Sequence, residues 1–369
     1  MSKDKFNPLG PHATEADHVK REEEREIIER LKSLNLRKDI VYVVSFSGGR
    51  TSAYLVYVME LARKHLGINV KYIFMDTGAE HPKTYEFICN VVEHFGINLV
   101  CLRLKASDKL GLANSYVKIE LSDLKTDLQG WKEMIAKYST PYMPQGAFCT
   151  RAMKTDLFEW YCNKTFGKKK YHCWLGMRAD EPGRMKPEGE RVSKKRKNWY
   201  EGISYLADIS DFGKEDINDH WEKMPFNLMI KDHLGNCMFC IKKSELRLAL
   251  AARDEPEFYS AFINVINDDG VRVIEGRETP VRHMYRQGKN LEQVIAVFDS
   301  ATTEELRERV KYTKSGQCEE SCDILNGDEE IEVALKEIAN TEGMPKVKLT
   351  DLWRTPKAPF NTLNKEFNF

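Results

Sequence analysis

Short apolar runs alternate with longer amphipathic stretches in the first half of the chain. The apolar runs have the length of strands, and the stretches between them repeat apolar residues at helical spacing. Strands are predicted at 40–46, 69–75, 97–103 and 170–176. Helices are predicted between them at 53–65, 83–94 and 153–165. Because strands and helices alternate, the fold class is α/β, a doubly wound parallel sheet with right-handed crossovers.

The pattern changes at both ends of this region. Residues 15–36 form a charge-dense predicted helix with an apolar stripe, and from Tyr205 onward the chain becomes irregular and then mostly helical. The predicted C-terminal helices are 244–252, 256–267, 291–298 and 303–312. We therefore divide the chain into an N-terminal tail with a charged helix (1–38), an α/β domain (39–204) and a helical C-terminal region (205–369).

Composition places the protein among globular chains. Of 369 residues, 41% are hydrophobic and 31% are charged, and 57 lysines and arginines balance 57 aspartates and glutamates. Because the net charge is zero, contact with a nucleic acid needs a local patch such as the basic run Lys194–Lys197. No apolar stretch spans a bilayer and the N-terminus lacks a signal core, so we expect a cytoplasmic protein without a membrane partner. The oligomeric state is left open.

A hydroxyl-rich turn follows the first predicted strand. The segment Ser45–Ser52 reads Ser-Phe-Ser-Gly-Gly-Arg-Thr-Ser and leads into a helix. Adjacent glycines let the main chain approach a ligand closely, and the start of a helix adds N–H groups with partial positive charge. The segment therefore predicts a phosphate-binding turn, although it lacks the lysine of a Walker loop.

A second motif ends the next predicted strand. Asp76-Thr77-Gly78 is followed by Pro82-Lys83-Thr84-Tyr85. Both motifs come at the carboxyl ends of parallel strands, where α/β proteins bind ligands. With its two motifs, the chain resembles the PP-loop superfamily, in particular the branch of phosphoadenylylsulfate (PAPS) reductase and related sulfur-transfer enzymes. The family loop is Ser-Gly-Gly-x-Asp-Ser, and Thr51 stands where many ATP-using members have aspartate.

The resemblance implies an adenine nucleotide alpha hydrolase-like fold that binds ATP or PAPS, with Mg²⁺ bridging the phosphates. It assigns the nucleotide to the residues of the two motifs. These are Ser45, Ser47, Gly48, Gly49, Arg50, Thr51, Ser52, Asp76, Thr77 and Gly78. Asp76 is a candidate contact for magnesium or ribose.

Three basic residues are further candidates for anion binding. In the family pattern the Gly-x-Arg segment after the last core strand faces the nucleotide, so Arg178 is a candidate clamp for phosphate or sulfate. Arg151 and Lys154 come near the start of a predicted helix, where they could bind phosphates or lower the pKa of a thiol. Lone histidines such as His81 and His172 receive no chemical role.

The nine cysteines indicate thiols or metal ligands rather than a disulfide framework, because we expect no secretion signal. Cys237-Met238-Phe239-Cys240 is a two-residue-spaced pair, and Cys149 stands alone 88 positions earlier. Three sulfurs could hold zinc or an iron–sulfur cluster. The resemblance favours a 4Fe–4S cluster, which sulfonucleotide reductases and thiolating relatives hold beside the nucleotide.

The chain departs from the reductases at two cysteine positions. Their first cluster segment is Cys-Cys, whereas this chain has Cys149-Thr150. Their catalytic cysteine stands in Glu-Cys-Gly, whereas Cys318 stands in Gln-Cys-Glu. The candidate catalytic cysteines are therefore Cys149 and Cys318, and a fourth cluster ligand would be Cys318, Cys322 or none.

Three functions follow from these observations. The first is ATP-dependent adenylation of a nucleic-acid or small-molecule acceptor, followed by sulfur transfer from a sulfur donor. The second is PAPS reduction, in which Cys318 attacks sulfur and a thioredoxin-like reductant resolves the product. The third is a nucleotide-binding accessory subunit of a DNA-modification or defence complex, which would contact nucleic acid or a protein partner through 194–197 and the aromatic tail.

Overall fold

The computed structural model describes residues 15–108, 112–138, 142–143, 146–192, 199–268, 285 and 289–312. Its strands are β1 (Val41–Ser45), β2 (Asn69–Asp76), β3 (Leu99–Lys105), β4 (Ser115–Ile119), β5 (Tyr142–Met143), β6 (Gly146–Ala147), β7 (Tyr171–Leu175) and β8 (Gly202–Tyr205). Its helices are α1 (Glu15–Ser33), α2 (Arg50–Leu66), α3 (Pro82–Phe95), α4 (Gln129–Tyr138), α5 (Phe148–Thr150), α6 (Asp156–Thr165), α7 (Lys214–Glu222), α8 (Glu245–Asp254), α9 (Pro256–Ile266), α10 (Leu291–Ala296) and α11 (Thr303–Tyr312).

Six strands form one sheet in the order β4-β3-β2-β1-β7-β8. All neighbours are parallel except β3 and β4, which are antiparallel. The chain first winds outward from β1 to β3 and later returns to the other side of β1 with β7. The switch point therefore lies between β1 and β7, where the carboxyl ends of the strands open a crevice. The predicted doubly wound α/β sheet is confirmed.

Helices cover both faces of the sheet, and successive residues of a strand point to opposite faces. On one face, Val44 and Phe74 pack with α1, α2, α3 and α7. On the other face, Val43 and Ile73 pack with α6. The helices α2 and α3 each end at a glycine in the left-handed region, which is why the chain can turn back into the sheet at these points.

A third apolar core lies beyond the carboxyl end of the sheet. This core contains Ala79, which follows β2, and residues of α4. It also contains Cys149 and Phe239, the latter in the segment Cys237–Cys240. Helices α8, α9 and α10 also pack into this core. The C-terminal region is thus packed against the edge of the sheet at which ligands are expected.

Several elements of the described chain escaped the sequence prediction, among them the two-residue strands β5 and β6 and the three-residue helix α5. Strands β4 and β8 are short edge strands, and α4 and α7 lie in segments whose polar residues resemble loops. Helix α2 begins at residue 50 rather than 53, so the start of the helix lies within the hydroxyl-rich segment Ser45–Ser52. The domain division after residue 204 stays a prediction; strand β8 crosses that point. Among the described helices, none combines the length and apolar character needed to cross a membrane.

Candidate nucleotide site and cysteine centre

The loop between β1 and α2 is braced by its own serines. Ser47 donates from its main-chain N–H to Ser52 Oγ at 3.1 Å, and the two hydroxyl oxygens lie 2.9 Å apart. Ser52 Oγ donates in turn to the carbonyl of Gly49 at 3.0 Å. These contacts hold a tight turn at the crevice and direct the start of α2 toward it, as the predicted phosphate-binding turn requires.

Gly48 occupies a conformation and a space that exclude a side chain. Its φ is 82°, and a Cβ there would lie 2.8 Å from Thr84 Cγ2 and 2.9 Å from Ile88 Cδ1. The glycine therefore lets α3 approach the loop.

Replacing Gly48 with alanine should distort this loop. We expect a loss of about 2–4 kcal/mol in the free energy of unfolding and at least a roughly tenfold loss of ATP affinity in calorimetric titration, because strain and overpacking act together. Gly96→Ala is the matched control. Gly96 has a φ of 62° but open space around it, so its replacement should cost only about 1 kcal/mol and leave ATP affinity unchanged. Equal effects of the two variants would contradict this interpretation.

Arg50 connects the loop to the C-terminal region. Its guanidinium donates to Asn227 Oδ1 at 2.9 Å and to the carbonyl of Leu228. The indole N–H of Trp221 donates to the main-chain carbonyl of Arg50 at 2.9 Å. The chain after α7 therefore encloses one side of the loop, and Arg50 orders that wall.

Arg178 lies at the loop, where the sequence prediction placed it. The side chain is 4% exposed, and its Nη1 donates to Thr51 Oγ1 at 3.1 Å. Its Nε donates to Asp180 Oδ1 at 2.8 Å. Close packing between Gly176 and Ser52 explains the approach, because a Cβ on the glycine would lie 2.9 Å from Ser52 Cα. An oxyanion bound at the start of α2 would thus meet a cation already fixed in place.

Asp76 ends β2 with both carboxylate oxygens engaged. Arg103 Nε donates to Oδ2 at 2.7 Å, while the Tyr85 hydroxyl and the Gly78 N–H donate to Oδ1 at 2.8 and 2.9 Å. Asp76 is fully buried, and this ion pair raises the pKa of Arg103 against the effect of burial. Asp127 also binds Arg103, at 3.0 Å. As placed, Asp76 shapes the turn, and its predicted contact with magnesium or ribose stays a prediction.

Glu80 is a second buried carboxyl in the same turn. Thr77 Oγ1 donates to Glu80 Oε1 at 2.8 Å, and the Tyr85 hydroxyl lies 3.0 Å from Oε2. Burial raises the pKa of Glu80, the charge of Lys154 opposes this shift, and the neighbouring Asp76 adds to it. A single tyrosine hydroxyl therefore contacts two carboxyl groups that both belong to the Asp76–Glu80 turn.

The three predicted sulfur ligands come together in the third core. Cys149 and Cys237 are 6% and 5% exposed, and the half-buried Cys240 packs against the same cluster. Burial raises the pKa of Cys237 strongly, and Cys240, Glu80 and Cys149 raise it further, whereas Lys154 lowers it. Residues 88 positions apart in the sequence thus share one apolar environment, with Lys154 nearby.

The metal role predicted for these three sulfurs stays a prediction. In the part of the chain that the structure describes, no group of three or more histidine, cysteine, aspartate or glutamate side chains is arranged to hold a metal ion. Soft sulfurs in apolar surroundings fit a zinc ion or an iron–sulfur cluster by their chemistry.

Other predicted site residues have different outcomes. Arg151 pairs with Asp156 at 3.5 Å and begins a single π-helical stretch, Arg151–Thr155, directly after α5. Such π turns often occur at functional sites, and this one follows Cys149 closely. Cys318, Cys322 and the basic run 194–197 lie outside the described residues.

Sequence reasoning missed Arg103 and Glu80. Arg103 is a charge between two apolar residues of a strand and is the register partner of Asp76, so the alternation of β3 contained the signal. Glu80 stands two residues after the Asp-Thr-Gly motif. No local pattern identifies Glu80, because Cys237, the residue with which its main chain pairs, lies far away in the sequence.

Three comparisons relate the chain to known proteins. The family model described as the phosphoadenosine phosphosulfate reductase domain matches residues 41–224. An uncharacterized nin region protein of Escherichia phage lambda, ORF290, is 43% identical over 295 residues, which are 78% of this chain and 96% of that protein. The U34-tRNA thiolase NcsA from Methanococcus maripaludis, solved with its 4Fe–4S cluster, shares 11% identity at a TM-score of 0.35, covering 84% of this chain and 85% of that one.

Proposed function

Because the chain belongs to the phosphoadenosine phosphosulfate reductase domain family, we propose that it is an ATP-dependent sulfurtransferase. The family is one of nucleotide-binding enzymes of sulfur metabolism. One observation supports the proposal above the others. The main chain of Glu80, four residues after β2, pairs with Cys237, so the cysteine centre adjoins the strand edge at which the nucleotide is expected.

The nucleotide half of the reaction uses the loop and Arg178. Main-chain N–H groups at the start of α2 and the hydroxyl of Ser47 would hold phosphate oxygens, and Arg178 would neutralise their charge. Mg²⁺, when bound with the nucleotide, would supply positive charge that offsets the charge of the phosphates. An acceptor carbonyl oxygen attacks the α-phosphorus of ATP and pyrophosphate leaves. Sulfide sulfur then attacks the activated carbon, and AMP leaves with the oxygen.

The sulfur half uses the cysteine centre. Cys149, Cys237 and Cys240 would hold a 4Fe–4S cluster, which would supply iron as a Lewis acid. Around it, Phe239 and the third core exclude water, and Lys154 adds positive charge beside the thiolates. The acceptor, a nucleic acid or a small molecule, would enter between the loop and this centre.

PAPS reduction is the second candidate. Thr51 favours it, because the residue binds Arg178 and leaves the loop without the aspartate of many ATP-using members. In that reaction Cys318 would attack the sulfur of PAPS and a thioredoxin-like protein would release sulfite. Replacing Cys318 with serine abolishes reduction but spares a sulfurtransferase that uses only Cys149, Cys237 and Cys240.

Anaerobic purification tests the proposal first. We expect a brown protein with about four irons and four sulfides per chain. ATP with Mg²⁺ and RNA or DNA should then release pyrophosphate and yield a thiolated product, whereas PAPS with thioredoxin should yield no sulfite. A colourless protein that contains zinc would overturn the cluster assignment. Sulfite release without ATP would establish the second candidate instead.

A further inference from the structure

The cysteine segment is attached to the turn after β2 by its main chain. Met238 donates its N–H to the carbonyl of Ala79 at 2.9 Å, and Glu80 and Cys237 form an antiparallel bridge. Both bridged residues are buried, with exposures of 1% and 5%. The position of Cys237 therefore depends directly on the position of Glu80.

The carboxyl group of Glu80 holds this turn from the inside. The carboxyl group accepts hydrogen bonds from Thr77 Oγ1 and from the N–H of Ala79, the latter at 3.3 Å. The main-chain carbonyl of Glu80 accepts from Thr126 Oγ1 at 2.6 Å. A fully buried carboxyl group costs several kcal/mol unless polar contacts offset its desolvation. Packing alone does not account for such a group, since an apolar residue would fill the same space.

Tyr85 continues the connection to the nucleotide side. Its hydroxyl lies 2.8 Å from Asp76 Oδ1 and 3.0 Å from Glu80 Oε2. Asp76 ends β2, and α3, which carries Tyr85, contacts the phosphate loop through Thr84. A continuous path of short contacts thus runs from the loop to Cys237.

We propose that Glu80 is a positioning residue that fixes the cysteine segment Cys237–Cys240 to the nucleotide edge, with the Tyr85 hydroxyl as the connecting group. The inference rests on the proposed function only in taking the loop as the nucleotide site. A nucleotide that orders the loop and α3 then also orders the segment. By linkage, a docked segment strengthens nucleotide binding by the same factor.

Amide hydrogen exchange measures this connection without relying on catalysis. The N–H of Met238 reports opening of the bridge, so exchange is followed by mass spectrometry in peptides covering 237–241 and 45–52. Tyr85→Phe removes only the connecting hydroxyl. Tyr72→Phe is the matched control, because Tyr72 in β2 donates to the buried Glu60 at 2.6 Å, a hydrogen bond separate from those of the Asp76–Glu80 turn.

We expect Tyr85→Phe to speed exchange at 237–241 about tenfold relative to Tyr72→Phe, the change that loss of one buried hydrogen bond produces. Adding α,β-methylene ATP should slow exchange in both peptides of the wild type and of Tyr72→Phe. In Tyr85→Phe it should slow exchange only at 45–52. Glu80→Gln, which keeps an acceptor, should retain part of the response at 237–241, whereas Glu80→Ala should lose it.

Other outcomes have separate meanings. Equal exchange at 237–241 in Tyr85→Phe and Tyr72→Phe would reject the positioning role. If neither α,β-methylene ATP nor adenosine 3′,5′-bisphosphate slows exchange at 45–52 of the wild type, the proposed nucleotide site fails, and the tenfold comparison still decides on the connection. Should Tyr85→Phe not fold, Thr126→Val removes a single bond to the carbonyl of Glu80 and must raise exchange at 237–241 in its place.

Discussion

Replacing Cys237 with serine is expected to remove most of the iron from the anaerobically purified protein and to lower pyrophosphate-coupled sulfur transfer at least about 100-fold, because a serine hydroxyl is a poor ligand for iron. Cys237 is the most buried of the three cysteines, at 5% exposure against 6% for Cys149 and a half-buried Cys240. Iron and sulfide analysis, together with the visible spectrum, measure the result.

The control for this variant is Cys89→Ser. Cys89 is a half-buried thiol on α3, outside the third core, so its replacement should leave the iron content and the spectrum as in the wild type. Cys149→Ser and Cys240→Ser should lose iron as Cys237→Ser does. Full iron content in all three variants would show that the centre lies elsewhere.

Replacing Arg103 with methionine should have the largest effect on stability. Arg103 binds two carboxylates and is 8% exposed, and Asp76, its main partner, is fully buried. Removing one partner leaves an uncompensated buried charge, which costs about 3–5 kcal/mol in the free energy of unfolding. Chemical denaturation monitored by circular dichroism measures this loss.

Arg37 provides the surface comparison for Arg103. It also pairs with two carboxylates, those of Asp39 and Glu201, but is 51% exposed. Because water screens such pairs, Arg37→Met should cost no more than about 1 kcal/mol. A double variant, Asp76→Asn with Arg103→Met, should recover part of the lost stability, since both charges are then absent. Similar losses for the two single variants would show that Arg103 is not a buried anchor.

Much of the fold followed from local pattern. The strands of the sheet centre and most helices were predicted within a few residues, because apolar runs bounded by glycine turns identify buried strands. The edge strands β4 and β8 were missed because half-exposed strands of four or five residues carry little apolar signal. The start of α2 was misplaced by three residues because its first turn consists of polar residues that also suit a loop.

The candidate site was predictable only in part for a related reason. Motifs such as Ser45–Ser52 and Cys237–Cys240 are local and could be recognised. The partners that organise them could not, since Arg103 reaches Asp76 across 27 positions and Glu80 pairs with Cys237 across 157. Such pairs form when strand register and loop packing bring distant segments together, and no local periodicity records them.

By itself, the sequence determined the α/β class, and it predicted a phosphate-binding turn and a paired-cysteine segment, because each depends on residue types at short spacing. Only the tertiary structure decided that Asp76 is neutralised by Arg103 and that Arg50 is held by the C-terminal region. It also placed the cysteine centre against the turn that ends β2. The physical reason is that burial and charge pairing are set by the side chains that surround a group, and these come from all parts of the chain.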